Sequence, residues 1–184
     1  MAGLFDLEGH LVFYRSYHFN HTNVAIHLVC IPIILLSAIT FLTAREVGAL
    51  SVGTLIAWGY GIYYVMLDWK CGLPSFALLV TYSHYITQLY QSLDASQKSL
   101  FVQYAMFAHV AAWLAQFYGH GVHEKRAPAL LDNLLQAIVL APFFVAFEIA
   151  FFLGFRKDLK KTMDNKAGVI VRDFKLKEKA AAQK

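Results

Sequence analysis

Two short polar clusters interrupt an otherwise apolar chain, and each is built around histidine. The first is Tyr17-His18-Phe19-Asn20-His21-Thr22-Asn23, followed by His27. The second is Gln116-Phe117-Tyr118-Gly119-His120-Gly121-Val122-His123-Glu124-Lys125-Arg126. Five of the eight histidines fall in these two stretches. Each cluster sits where a long apolar segment meets polar sequence. Neutral imidazole with carboxylate, and open positions left over, suits ferrous iron and oxygen chemistry. Zinc takes the same donors, and spacing alone does not choose between them.

A helix turns about 100° per residue. His120 and Glu124 are four residues apart and share a face. Gln116 lies one turn earlier on the same stripe, and His123 is offset by about 60°. Gly119 and Gly121 flank His120 and permit close backbone approach or local unwinding. His18 and His27, nine apart, would point oppositely on one continuous helix. A break at Asn20–Asn23, with Asn23 as N-cap of the next helix, lets them converge. The expected metal ligands are therefore His18, His27, His120 and Glu124, with His123 close enough to contribute. His84 is an ionisable group mid-segment and so a further candidate ligand. His10 reads as solvated and His109 as satisfied within the bundle. Glu148 reads as a partner of Arg126 or Lys125, or as a hydrogen-bond acceptor for a ligand histidine. Asp132-Asn133 reads as a helix cap.

The elements that must position these groups are apolar helices. The 184 residues are 58% hydrophobic and 15% charged, with a mean hydropathy of +0.49. A soluble domain of this size carries about 25% charge, so the fold class is an all-α, polytopic membrane bundle of one domain. Spanning segments are expected at 24–43, 49–67, 73–93 and 99–118. Residues 4–17 read as an amphipathic helix lying in the membrane interface. Residues 133–155 form a last hydrophobic segment split by Pro142, either a kinked span or a re-entrant hairpin, the latter favoured by Pro142 and Glu148. The catalytic domain is placed at 1–155. The tail 156–184 holds ten of the sixteen Lys and Arg and reads as a solvated cytosolic arm. Four spans put both histidine clusters on one membrane face, and a re-entrant last segment adds the tail to that face. Cys30 and Cys71 read as small buried hydrophobes. The chain has no HxxHH box, GxSxG elbow, HExxH, Walker loop or GxGxxG. No nucleic-acid partner is expected.

At the two clusters the chain resembles a known family. The signature YxxYHxxxxNxxxH appears as Tyr14, Tyr17, His18, Asn23 and His27. The signature QFxGHGxxEKRxPALxDNLxQAxxLAPxFxxFE appears from Gln116 to Glu148. These resemble the small endoplasmic-reticulum membrane family whose fungal member is a ferrous-iron-dependent 2-hydroxy fatty acid dioxygenase acting in α-oxidation during phytosphingosine breakdown. The resemblance implies Fe(II), O2, and a 2-hydroxy long-chain fatty acid shortened by one carbon without 2-oxoglutarate. It implies His18, His27 and His120 as iron-associated residues. The acid's carboxylate would be neutralised by Lys125 or Arg126, and Arg126 offers the better bidentate geometry. The chain departs from the family pattern at His21, where proline is common, and at His123, where phenylalanine is usual. Other readings of the same residues are a zinc-dependent membrane lipid hydrolase and a non-catalytic scaffold or lipid-binding bundle.

Overall fold

The computed structural model describes residues 3–128, 133–134 and 136–183; the expected cap at Asp132 lies outside them. Its order is α1 (Leu7–Tyr17), α2 (His21–Leu42), a two-residue-stranded hairpin of β1 (Glu46–Val47) and β2 (Leu50–Ser51), α3 (Val52–Leu67), α4 (Trp69–Ser92), α5 (Ala95–Tyr118), α6 (Ala141–Phe152) and α7 (Lys157–Ala182). π-helical turns occupy Gly119–Glu124 and Gln136–Leu140.

Side-chain caps set most of the helix starts. Asp6 caps α1, Asp68 ends α3 and caps α4, and Asp94 with Gln97 forms a capping box on α5. The cap of α2 is Asn20, not the expected Asn23: Asn20 Oδ1 accepts from the Thr22 and Asn23 amides. Starting α2 three residues early leaves Asn23 inside the first turn and free for other work.

Among the described residues, two helices are long and apolar enough to cross a membrane, His21–Leu42 and Ala95–Glu124. The sequence pattern reads four. α3 has 16 residues, about 24 Å at 1.5 Å per residue, short of the roughly 30 Å of a hydrocarbon core. α4 is long enough, but Ser83, His84, Thr87 and Gln88 lower its hydropathy. α3 and α4 pack together as a hairpin, while α2 packs along α5. The α2–α5 pair is antiparallel, since Ser37 meets His109 at mid-length and His27 meets His120 at one end. Both histidine clusters therefore lie at the same end of that pair.

The core is aromatic and centred on α6. Phe143, Phe144 and Phe147 are fully buried. Phe143 stacks on Tyr64 at 4.4 Å, and Phe144 stacks on Tyr14 at 4.3 Å. The Tyr64 and Tyr60 hydroxyls donate to the Val139 and Ile138 carbonyls of the preceding π turn. Pro142 sits in the first turn of α6, where its missing N–H costs nothing, so it does not split the segment. The break falls at Gly154 (φ 86°) and Arg156 (φ 57°), where the chain bends by 119° between residues 137–152 and 157–181. Glycine takes that left-handed backbone without strain; Arg156 is held there by its ion pair with Asp68.

The basic tail is not a solvated arm. α7 is a 26-residue helix packed on α1, with Met163, Ala167 and Val171 buried. Arg15 bonds Asp164 at 2.9 Å, and Lys166 pairs with Glu8. His10 also differs from expectation: it is buried against the Leu4 carbonyl.

Candidate metal centre

Three of the expected residues converge. His18 ends α1, His27 is in the second turn of α2, and His120 is in the π turn that continues α5. Their ring centroids are 4.3, 4.8 and 4.9 Å apart. One ligand nitrogen from each lies within 4.8 Å of the others. All three rings are buried, at 4%, 2% and 4% exposure.

The ring orientations have a local cause. His18 Nδ1–H donates to the Tyr14 carbonyl and His27 Nδ1–H to the Asn23 carbonyl, both at 2.9 Å and both four residues upstream. A carbonyl accepts only, so each bond fixes the tautomer and leaves Nε2 as the lone-pair nitrogen. Tyr14 also stacks on His18 at 4.0 Å. Burial, then the neighbouring His27 and His120, push the His18 pKa well below that of a free imidazole. His18 is therefore neutral at physiological pH, as a ligand must be. His120 Nδ1 is buried with no hydrogen-bond partner. An unpartnered buried nitrogen on a ring packed against two anchored imidazoles fits a coordination site, and the three-histidine cluster is able to hold a divalent metal ion.

The other expected residues lie around the triad. Glu124 uses both carboxylate oxygens on the joint between α1 and α2. Oε1 accepts from the Phe19 amide at 3.1 Å, and Oε2 accepts from the Asn20 amide at 3.0 Å and from Asn23 Nδ2 at 3.1 Å. Arg126 donates to the Ser16 carbonyl, and its guanidinium sits 3.6 Å from the Tyr17 ring centroid and 4.5 Å from that of Phe174 on α7. His123 packs edge-on against Tyr118. His21 and His84 are exposed. His109 is satisfied by Ser37, the Ile34 carbonyl and Trp113. Glu148 faces Arg15, Lys160 and Asp164.

The π turn is the device that brings His120 and Glu124 to the joint. Its wider i→i+5 winding replaces the simple stripe of Gln116, His120 and Glu124. The turn needs a close backbone. A Cβ on Gly119 would lie 2.5 Å from Asn23 Oδ1, whereas one on Gly121 would meet nothing within 4 Å.

Asn23 is the residue the sequence reading undervalued. It holds His27 through its carbonyl and Glu124 through its amide, and it lies against Gly119. The signal was the four-residue spacing of Asn23 to His27, repeated in Tyr14 to His18.

A cavity of about 30 Å³ opens on the triad, lined by Phe13, Tyr14, Trp113, Gln116 and Phe117 among others. A second, of about 180 Å³, adjoins it.

A buried tri-histidine cluster at one end of two long apolar helices defines an all-α protein with a candidate metal centre. The comparisons sharpen this. The profile of the Mpo1-like family, 2-hydroxy-palmitic acid dioxygenases, matches residues 4–153. The chain is 35% identical over 175 residues to the 2-hydroxy-palmitic acid dioxygenase MPO1 of Saccharomyces cerevisiae, covering 95% of this chain and 97% of that protein. The chain belongs to the Mpo1-like 2-hydroxy fatty acid dioxygenase family. No solved structure matches it.

Proposed function

We propose that this protein is a ferrous-iron-dependent dioxygenase that converts a 2-hydroxy long-chain fatty acid to the acid one carbon shorter, in the α-oxidation that follows phytosphingosine breakdown. The observation that carries the reading is the triad of His18, His27 and His120, buried and within coordination reach of one another, beside an apolar cavity. Iron held there would supply the activation of O2 that amino-acid side chains cannot provide.

The chain's own residues do the rest. Tyr14 and Asn23 hold two imidazoles by their backbone carbonyls. Glu124 locks the α1–α2 joint that carries them. Arg126, stacked between Tyr17 and Phe174, positions the joint from outside. Lys125, exposed on the adjacent residue, is the cation that draws the substrate carboxylate inward. His123 stands at the edge of the site. In the overall change the C1–C2 bond breaks, C2 becomes the new carboxyl and C1 leaves as carbon dioxide. With water as the third product, the acid gives up four electrons and O2 takes all four, so no co-reductant is needed.

The protein is placed in the endoplasmic reticulum membrane as a multi-pass bundle, with membrane lipid around it and α1 in the interface. α6, of 12 residues, reaches about 18 Å and is read as re-entrant. α7 then returns to α1, which puts the basic helix and the metal centre on one face. The excess of Lys and Arg makes that face cytosolic.

Anaerobic metal analysis of wild type and His120→Ala tests the assignment, with O2 uptake on 2-hydroxyhexadecanoic acid as the companion assay. Stoichiometric iron and turnover, both lost in a folded His120→Ala, are expected. Iron and activity retained in that variant would overturn it, as would zinc with no oxygen requirement.

A further inference from the structure

The dioxygenase reading leaves open how the site tells a 2-hydroxy acid from the plain acid, and the cavities bear on this. The cavity on the triad and the 180 Å³ cavity share five lining residues, Ile31, Trp113, Gln116, Ala137 and Ala141. They form one path from the histidines into the space between α2, α5 and α6. Four of the five shared residues are apolar or aromatic. Gln116 is the fifth. It is 8% exposed, and its Nε2 is buried with no hydrogen-bond partner. A buried amide donor left unsatisfied is costly unless something fills the path. The other polar groups on the second cavity are already committed, His109 to Ser37, the Ile34 carbonyl and Trp113, and the Tyr60 hydroxyl to the Ile138 carbonyl.

An amphiphile entering this path places its head at the histidines and its alkyl chain in the second cavity. The first carbon beyond the carboxyl then lies at the junction, beside Gln116. Resting on the dioxygenase reading, we propose that Gln116 is the residue that selects for the hydroxyl: its Nε2–H donates to the 2-hydroxyl oxygen of the bound acid. A plain fatty acid would leave that donor buried and unpaired, and a site built this way rejects the analogue lacking the hydroxyl.

Binding tests this without turnover. Trp113 lines both cavities, so its fluorescence reports occupancy once the exposed Trp58 and Trp69 are replaced by Phe. The full chain in lipid nanodiscs, anaerobic and loaded with Fe(II), is titrated with 2-hydroxyhexadecanoate and with hexadecanoate. Wild type is expected to favour the hydroxy acid. In Gln116→Met, close in size but without a donor, the ratio of affinities falls roughly tenfold, while hexadecanoate binds as well as before or better. Gln116→Asn, which keeps the amide but withdraws it by one methylene, loses the preference too. Unchanged hexadecanoate binding shows that the variants keep their pocket. A preference retained in both variants, or absent from wild type, overturns the role of Gln116 and leaves the dioxygenase reading standing. Wild type that binds neither acid overturns both.

Discussion

Replacing Glu124 by Gln separates a residue that holds the metal from one that holds the ligands. Glu124 accepts three hydrogen bonds across the joint between α1 and α2. Two come from the Phe19 and Asn20 amides at an exposed position, where water substitutes for a lost acceptor, so each contributes only a few tenths of about 1 kcal/mol. The third comes from Asn23 Nδ2, and Asn23 is fully buried. A hydrogen bond from a buried amide to a charged carboxylate contributes about 1.5–3 kcal/mol. Gln keeps one oxygen acceptor and turns an N–H toward a donor, so Glu124→Gln is expected to destabilise the metal-free protein by about 2 kcal/mol. The joint also positions His18 through Phe19 and His27 through Asn23. Loss of such support weakens metal affinity by about 10- to 100-fold. Anaerobic chelator competition reads the affinity, and thermal unfolding reads the stability. The expected variant is less stable, binds iron more weakly, and still reaches full stoichiometry at saturation. Complete loss of iron, as in His120→Ala, would make Glu124 a ligand and refute the clamp. Unchanged affinity and stability would refute any role at the joint.

Gly119→Ala forces a Cβ to within 2.5 Å of Asn23 Oδ1 and is expected to cost about 1–3 kcal/mol together with iron binding. Gly121→Ala, with nothing within 4 Å, is neutral or stabilising by up to about 1 kcal/mol; equal thermal shifts in the two variants would remove the close approach as an explanation. Arg126→Lys loses the planar stack between Tyr17 and Phe174 and is expected to loosen α7, seen as faster limited proteolysis after residue 155. Ala38→Phe fills part of the second cavity and shifts the preferred acid to shorter chains, measured by competition between acids of different length. Burial lowers the His18 pKa in the folded state, so below about pH 6.5 the unfolded chain takes up a proton that the folded one refuses. Stability of the metal-free protein therefore falls with acid from about pH 6.5, with a slope approaching 1.4 kcal/mol per pH unit for this one group; a flat profile down to pH 5 would show His18 to be protonated in the fold.

The helices were legible in the sequence because capping and apolar runs are local. α2 and α5 follow their apolar runs closely, and the break between His18 and His27 follows from the polar Asn20–Asn23 stretch. What was not legible depends on tertiary contact. α7 reads as a charged arm by composition, yet Met163, Ala167 and Val171 recur at helical spacing and meet α1. Pro142 reads as a splitter, but it falls in the first turn of α6, directly after the π turn Gln136–Leu140, and the 119° bend comes only after Phe152, at Gly154 and Arg156. α3 and α4 read as spans by window hydrophobicity, but Leu50–Ser51 form β2 before the helix begins at Val52, which leaves α3 with 16 residues and too short.

The site shows the same division between local and tertiary information. Which histidines meet was readable, since a break in one cluster and a glycine-flanked histidine in the other leave few ways to bring rings together. What each neighbour does was not. Gln116, His120 and Glu124 form one stripe on an ideal α-helix, and that geometry points all three at a metal. Widening the helix at Gly119 divides their work: His120 turns to the two imidazoles, Glu124 reaches the joint that carries them, and Gln116 stays behind on the cavity wall. A helix interior holds side chains at fixed intervals, so groups that must converge on one point from three segments are best placed where helices end. The triad uses the end of α1, the start of α2 and the π turn beyond α5, and the carboxylate that sequence spacing offers as a ligand serves there to hold the ends together.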